Sequence, residues 1–159
     1  MSERARTLAH QLEQENQALI ATLEGLSDAQ WHLKTPGDGR SVGVVAHHVA
    51  SSHKVVAGLA GAIAHGQSVP TITMDMIHQG NAQHAAQHAD CTKAETLALL
   101  RQNGAAAVAA VRAFGDAELD RTTAMPMGTM SVAQVVEKIL TGHAQDHHGT
   151  IQKALGVRL

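Results

Sequence analysis

Two histidines near the carboxyl-terminal end of the chain have the spacing of a metal-binding pair. His143 and His147 lie four residues apart in the segment GHAQDHHG, which is about one helical turn. On a helix they would stack roughly 6 Å apart on one face, where two imidazoles can bind one metal ion. Neutral imidazole is a good ligand for Zn(II), Ni(II) or Fe(II). The spacing therefore predicts part of a metal site that needs at least one further ligand.

The best candidate for the third ligand is His48, in the apolar segment SVGVVAHHVASSHKVV. Residues of this segment recur at helical spacing and predict the inward face of a long helix. The residues of that predicted face are Val45, His48, Ser52, Val55 and Leu59. A lone histidine on an apolar face is more often a hydrogen-bonded core residue than a ligand. Three such imidazoles are different, because one metal ion would satisfy all of them and offset the cost of burying them.

The pair at 143 and 147 lies in the last helical stretch, residues 131–155. An apolar stripe in this stretch continues through the two histidines and predicts that both face the core. The stripe consists of Val132, Val135, Val136, Ile139, Leu140, His143, His147, Thr150 and Ala154. His47 and His148 adjoin candidate ligands but lie about 100° away around their helices, so we interpret them as flanking residues or as residues that support the ligands.

A further stretch, residues 74–89, has an unusually polar helical face. Its residues are Met74, Ile77, Asn81, His84 and His88. Asn81 and the two histidines either line a pocket beside the metal site or lie on a solvated or dimer-facing surface. Thr150 could hydrogen-bond near the metal, although a mid-helix threonine commonly bonds back to its own backbone. His53 lies more than one turn beyond His48, and its position is consistent with exposure or with support of a ligand.

Helix-start and helix-stop signals divide the 159 residues into four principal helices. The candidate N-terminal caps are Ser2, Ser41, Thr92 and Ser131. The four principal helices are predicted at 2–25, 41–65, 92–114 and 131–155. A further helical stretch is predicted at 74–89, and loops are predicted at 34–40 and 125–128. A long connection between the second and third principal helices favours a crossover bundle over an up-down series. We therefore predict an all-α four-helix bundle that forms a single domain over residues 1–159.

Composition and charge argue against several classes of function. The formal net charge of −2 gives no electrostatic reason to expect nucleic acid or an anionic membrane as a partner. Cys91 is the only cysteine, which excludes an internal disulfide and a cysteine-based zinc site and favours a reducing compartment. The amino-terminal segment is charged, and no stretch approaches the ~20 apolar residues of a membrane span, so we expect a cytoplasmic protein. The motifs GxSxG, GxGxxG and HExxH are absent.

Two motifs around the candidate ligands resemble those of the DinB superfamily, the damage-inducible-B-like metal-binding bundles that include bacillithiol transferases and mycothiol-dependent maleylpyruvate isomerases. The first is the Ser-Val helix start SVGVVAHH with His48, and the second is the HxxxH pair at 143 and 147, followed by glycine and Ile151. The resemblance implies a crossover bundle of up-down-down-up order that is often a homodimer. It also implies that His48, His143 and His147 hold Zn(II) or Ni(II), with iron and manganese as the other candidates.

The resemblance further implies a chemistry, in which a low-molecular-weight thiol binds the open metal position as a thiolate and attacks a small electrophile. Thr150 stands where many relatives have glutamine, and the mycothiol-dependent isomerases replace one last-helix histidine by glutamate, so their substrate is not carried over. We therefore predict a metal-dependent thiol S-transferase or thiol-assisted isomerase or hydrolase, in which no separate catalytic base is identified. The alternatives are a non-catalytic metal-binding or stress-response protein, and a helical interaction module with hydrogen-bonded core histidines.

Overall fold

The structure, a computed structural model, describes residues 2–158 and is mostly helical. Its elements are α1 (Glu3–Glu24), α2 (Asp28–Trp31), α3 (Val42–Ala64), α4 (Met74–Gln87), α5 (Lys93–Arg112), α6 (Asp116–Leu119), β1 (Thr122–Met125), β2 (Gly128–Ser131), α7 (Val132–Gln134), a π-helical segment (Val135–Thr141) and α8 (Gly142–Ala154). The last three are continuous and are together called the last helix. The predicted all-α class is confirmed, although Met1 and Leu159, at the ends of the predicted domain, lie outside the described residues. Within residues 2–158, no helix has the length and apolarity needed to cross a membrane.

Side-chain caps begin the principal helices where the sequence predicts them. The hydroxyls of Ser2 and Ser41 accept hydrogen bonds from the backbone N–H groups of Ala5 and Val44. Thr92 forms a reciprocal capping box with the third residue of α5, and Ser131 does the same in α7. Each cap satisfies an N–H group that has no partner inside its helix, so these short polar residues fix where the helices begin.

The four principal helices are α1, α3, α5 and the last helix. They form a closed ring in which helices adjacent in sequence are not always adjacent in space. Both α1 and α3 pack against α5 and the last helix, so α1 and α3 lie on opposite sides of the ring. The connection between α3 and α5 carries α4, which packs on the outside of α3 and buries none of its own side chains fully. This arrangement agrees with the predicted crossover bundle, and it places α3 between α4 and the last helix.

The predicted inward face of α3 is correct at its start and wrong farther along. Val45 and His48 are buried, but Val55 is 70% exposed. Beyond residue 50 the buried positions are His53, Ala57, Ala60, Ile63 and Ala64. This face is displaced by one residue, or about 100°, from the predicted one. Residues 42–50 are buried all round because α3 is enclosed there, so spacing alone does not show which side will face solvent.

The last helix is also not the uninterrupted α-helix that its periodicity predicts. A π-helical segment takes up an extra residue and rotates the following positions relative to the preceding ones. The buried stripe of Val132, Val135, Val136 and Leu140 therefore continues through Ala144, His148 and Ile151. The prediction that His143 and His147 share the core stripe is wrong, because both are half-buried at the edge of the core. His148, predicted to flank them, is buried instead.

Residues 125–128, predicted as a loop, are part of a two-stranded hairpin. Strands β1 and β2 pair antiparallel, with Thr122 opposite Ser131 and Met125 opposite Gly128. Gly128 has φ +117°, a conformation that residues with a side chain rarely adopt. Met130 packs into the core beneath the hairpin. Each strand has only four residues, which is too short for an alternating pattern to be recognised in the sequence.

We expect Gly43→Ala to destabilise the protein by roughly 1–3 kcal/mol, the usual cost of overpacking. A Cβ atom at Gly43 would lie 2.4 Å from Cε2 of Trp31. The indole is buried and donates a 3.0 Å hydrogen bond from Nε1 to the carbonyl of Cys91, so it has little freedom to move. Urea denaturation measures the difference. Gly58→Ala, in the same helix with no atom within 4 Å, is the control and should be neutral or stabilising by up to about 1 kcal/mol.

Candidate metal centre

Three imidazoles from two helices converge in what we call the first histidine cluster: His48 of α3 with His143 and His147 of α8. The Nε2 atom of His143 lies 3.0 Å from Nε2 of His48 and 3.1 Å from Nε2 of His147. One candidate ligand atom from each residue lies within 4.8 Å of the other two. The structure therefore brings together the three residues that the sequence predicts as ligands.

The donor atoms of this cluster are poorly satisfied by hydrogen bonds alone. A neutral imidazole nitrogen either carries one proton or offers one lone pair. Since His143 Nε2 has two nitrogen neighbours, it would have to share one proton or one lone pair between both. A divalent ion about 2.0–2.1 Å from each nitrogen would use all three lone pairs, and nitrogens bound to one such ion are separated by about 3 Å. The observed separations fit a shared metal ion.

Burial keeps these imidazoles in the form that binds metal. The pKa of His48 is lowered to about 3 and that of His143 to about 4, mainly by burial and further by the neighbouring imidazoles. The pKa of His147 is also lowered, first by burial and then by the charge of Arg40. At neutral pH the three side chains are therefore uncharged, and a metal ion does not have to displace protons from them.

Arg40, in the loop before α3, places a positive charge beside the first histidine cluster. Its charge contributes to lowering the pKa of all three histidines. The side chain is 16% exposed and its Nε atom lies 2.6 Å from Oδ2 of Asp38. Nη1 is buried and has no hydrogen-bond partner among residues 2–158. Arg40 also lines an open cleft of about 200 Å³ together with Lys34 and Ala85. Arg40 therefore gives this cleft a positive charge that would attract an anionic group.

Two other buried histidines support the bundle around the first histidine cluster. His148 joins α8 to α1, with Nδ1 2.8 Å from the carboxylate of Glu15 and Nε2 2.8 Å from the hydroxyl of Thr22. His53 is only 1% exposed, and its Nε2 lies 2.9 Å from the amide oxygen of Asn16. The alternative of an exposed His53 is thus wrong. Both residues connect helices that carry the cluster to α1.

A second histidine cluster lies beside the first, between α3 and α4, and consists of His47, His84 and His88. The rings of His47 and His88 are stacked with centroids 4.0 Å apart, and Nδ1 of His47 lies 2.9 Å from Nε2 of His84. One candidate ligand atom from each of these residues again lies within 4.8 Å of the others. The two clusters adjoin, because the rings of His48 and His84 are 5.4 Å apart.

The sequence model of the DinB superfamily matches residues 11–151. The chain belongs to the DinB superfamily. No curated protein matches this DinB chain at a significant level of sequence similarity.

Solved structures with the same fold include YfiT from Bacillus subtilis, described as a probable metal-dependent hydrolase with an unusual four-helix bundle topology. It is 18% identical to the DinB chain with a TM-score of 0.75, and the match covers 99% of this chain and 91% of YfiT. A mycothiol-dependent maleylpyruvate isomerase is 11% identical with a TM-score of 0.75, and the match covers 95% of this chain and 63% of the isomerase. At these identities the likeness shows the fold, which confirms the predicted four-helix bundle.

The other predicted pocket residues outside the two histidine clusters are Asn81 and Thr150. Asn81 is half-buried on α4, three residues before His84. The hydroxyl of Thr150 donates a 3.1 Å hydrogen bond to the carbonyl of Asp146, which is the backbone contact considered as its alternative role. A contact of either residue with a bound ligand remains a prediction.

Sequence reasoning missed Arg40 and the second histidine cluster. The sequence predicts only a loop at 34–40, although an arginine next to the cap of the helix that carries His48 is a usable signal. His84 and His88 repeat the four-residue spacing of His143 and His147. That spacing is the signal for a second ligand pair, but their partner His47 was identifiable only once α4 was placed against α3.

We expect the stability of the metal-free DinB chain to fall as the pH falls from about 6.5 to about 4. Burial, and secondarily the nearby His143, lower the pKa of His53 to about 4 in the folded chain. The unfolded chain takes up a proton near pH 6.5, which favours unfolding by up to about 3 kcal/mol. The slope of the unfolding free energy against pH, measured in chelator, should be smaller in His53→Gln. It should be unchanged in His10→Gln, which alters an exposed histidine; equal slopes in all three proteins would contradict this assignment.

Proposed function

We propose that this DinB protein is a metal-dependent enzyme that uses a low-molecular-weight thiol, or water, to attack a small electrophile. The observation that carries the proposal is the convergence of three Nε2 atoms in the first histidine cluster. His48, His143 and His147 would hold a divalent ion, Zn(II) or Ni(II) first and Fe(II) or Mn(II) next. Such an ion, when bound, lowers the pKa of a coordinated thiol or water and so supplies a nucleophile at neutral pH.

The composition of the cluster supports a catalytic role over a structural one. Structural zinc sites are normally closed by four protein ligands, whereas catalytic sites use three and keep one position open. Among the described residues, the group around His48 contains three candidate ligands. The solved structures of a probable metal-dependent hydrolase and a mycothiol-dependent isomerase with this fold support the same class of chemistry, without identifying the substrate.

The residues around the cluster add specificity for an anionic substrate or thiol. Arg40 has a buried Nη1 without a partner, and Lys34 lines the same cleft. A carboxylate in this cleft would be attracted by both cations, and a small movement that exposes the guanidinium would allow a charge-assisted hydrogen bond from Arg40. The cleft holds about 200 Å³, so we propose a small electrophile that bears a carboxylate or a similar anion.

The decisive experiment measures consumption of a panel of small electrophiles with a panel of thiols, and with water alone, by the metal-loaded protein. We expect turnover that disappears on chelation, returns with zinc or nickel, and is lost in His147→Ala. His78→Ala changes an exposed histidine of α4 and should retain full activity. A protein that carries its metal but turns over no pair in the panel would favour the second candidate, a non-catalytic metal-binding or stress-response protein.

We also propose that the protein is a homodimer and that it is located in the cytoplasm. The homodimer rests on the resemblance to the DinB superfamily, whose members are often dimeric. Light scattering on the purified protein tests the dimer directly.

A further inference from the structure

The second histidine cluster is built from two elements that meet only at the surface of the bundle. His47 projects from α3, His84 lies in the last turn of α4, and His88 is the residue at the C-terminal cap of α4. The ring centroids of His84 and His88 are 4.6 Å apart, and those of His47 and His84 are 5.0 Å apart. All three side chains are at least half-buried, so the residues around them restrict how far they can move apart. We propose that His47, His84 and His88 bind a second divalent metal ion, independent of the first histidine cluster.

Hydrogen bonds among the described residues leave part of the second histidine cluster unsatisfied. The 2.9 Å contact between His47 Nδ1 and His84 Nε2 uses one nitrogen of each ring. Nδ1 of His84 is buried and has no hydrogen-bond partner within residues 2–158. A cation among the rings would use one lone pair from each of the three imidazoles, while the other nitrogen of each ring stays an N–H donor.

The chemistry of the surroundings indicates which cations would bind. Three imidazoles are preferred by Zn(II), Ni(II) and Cu(II) over the harder Mg(II) and Ca(II). Asp90 and Glu95 line the open groove, of about 440 Å³, that also contains His47 and His88. Their negative charges would offset part of the repulsion between ions in two adjoining clusters.

A second ion would also explain how α4 is attached. This helix has no fully buried side chain, so its apolar contact with the bundle contributes little to holding it in place. Coordination by His47 from α3 and by two histidines from α4 would connect the two helices directly. Because the ring of His84 lies 5.4 Å from that of His48, the ion would also fix α4 beside the first histidine cluster.

Titration of the metal-free full chain with Zn(II) tests the proposal by stoichiometry. The wild-type protein should bind two equivalents, and both His84→Ala/His88→Ala and His143→Ala/His147→Ala should bind one. His78→Ala is the matched control on α4 and should bind two. If the His84→Ala/His88→Ala protein fails to fold by circular dichroism, His84→Gln/His88→Gln retains polar side chains of similar size and gives the same readout.

Hydrogen exchange provides a readout that does not depend on counting ions. Amide exchange in residues 74–87 should slow at least about tenfold on zinc addition in the wild type and in His143→Ala/His147→Ala. It should not change in His84→Ala/His88→Ala. One equivalent in the wild type, or two in His84→Ala/His88→Ala, would overturn the proposal. The first histidine cluster is tested separately, because its ion should be lost in His143→Ala/His147→Ala and kept in His84→Ala/His88→Ala whether or not the second site exists. Failure here is therefore distinguishable from failure of the proposed function.

Discussion

Replacing His143 with alanine is expected to lower the Zn(II) affinity of the first histidine cluster by more than about 100-fold. His143 is the central member, since its Nε2 lies within 3.1 Å of both other Nε2 atoms. Loss of a residue that only orients a ligand already costs about 10–100-fold in metal affinity. Loss of a ligand itself should cost more. The measurement is a Zn(II) titration in competition with a chromophoric chelator. The variant should bind one fewer Zn(II) ion with high affinity than the wild type.

The matched comparison is His148→Ala, which removes a buried histidine five residues away. His148 contacts Glu15 and Thr22 and belongs to the packing between α8 and α1. Its loss leaves buried polar groups without partners, so we expect a stability loss of about 1–3 kcal/mol with the metal equivalent retained. If the two variants lose metal equally, His143 does not differ from its neighbour and the assignment of the ligand face is wrong.

Replacing Arg40 with methionine is expected to lower kcat/KM for an anionic electrophile by about 10–100-fold, with the metal content unchanged. A hydrogen bond to a charged group contributes roughly 1.5–3 kcal/mol, and the buried Nη1 of Arg40 has no hydrogen-bond partner among residues 2–158. Methionine keeps much of the length of the side chain but removes its charge and donors. The assay compares a carboxylate-bearing electrophile with its neutral amide analogue.

Two controls separate recognition of the substrate from damage to the metal centre. Arg112→Met removes a cation that pairs with Glu13 on the surface between α5 and α1, and it should affect neither substrate. Because the charge of Arg40 lowers the pKa of His48, His143 and His147, Arg40→Met should raise these values in a titration of the metal-free protein by NMR. An equal loss of activity toward the carboxylate and the amide would contradict anion recognition by Arg40.

Much of the fold could be predicted because it depends on local signals. Capping residues such as Ser41 and Thr92 act within one turn, so they mark helix starts without reference to the rest of the chain. The three members of the first histidine cluster were predicted for a related reason. His143 and His147 are separated by one turn, and His48 lies in a helix apolar enough to face inward.

The features that could not be predicted depend on packing between distant elements. The exposure of Val55 follows from which helices surround each part of α3, and spacing along one helix does not contain that information. The second histidine cluster likewise requires α4 to lie against α3, and α4 has too few buried residues for its position to be read from its own pattern. Arg40 was missed because a loop has no periodicity from which its orientation could be inferred.

The π-helical segment separates the last helix into two parts with different constraints. Val132 before the segment and Val135 and Val136 at its start must match the shape of the core, while the residues after it include the ligand pair. Because the extra residue absorbs the rotation between the two parts, the ligand-bearing turns do not have to follow the register of the hydrophobic stripe. Over evolutionary time, the residues that contact a bound ion could change without repacking of the core, and a common bundle could then serve different chemistries.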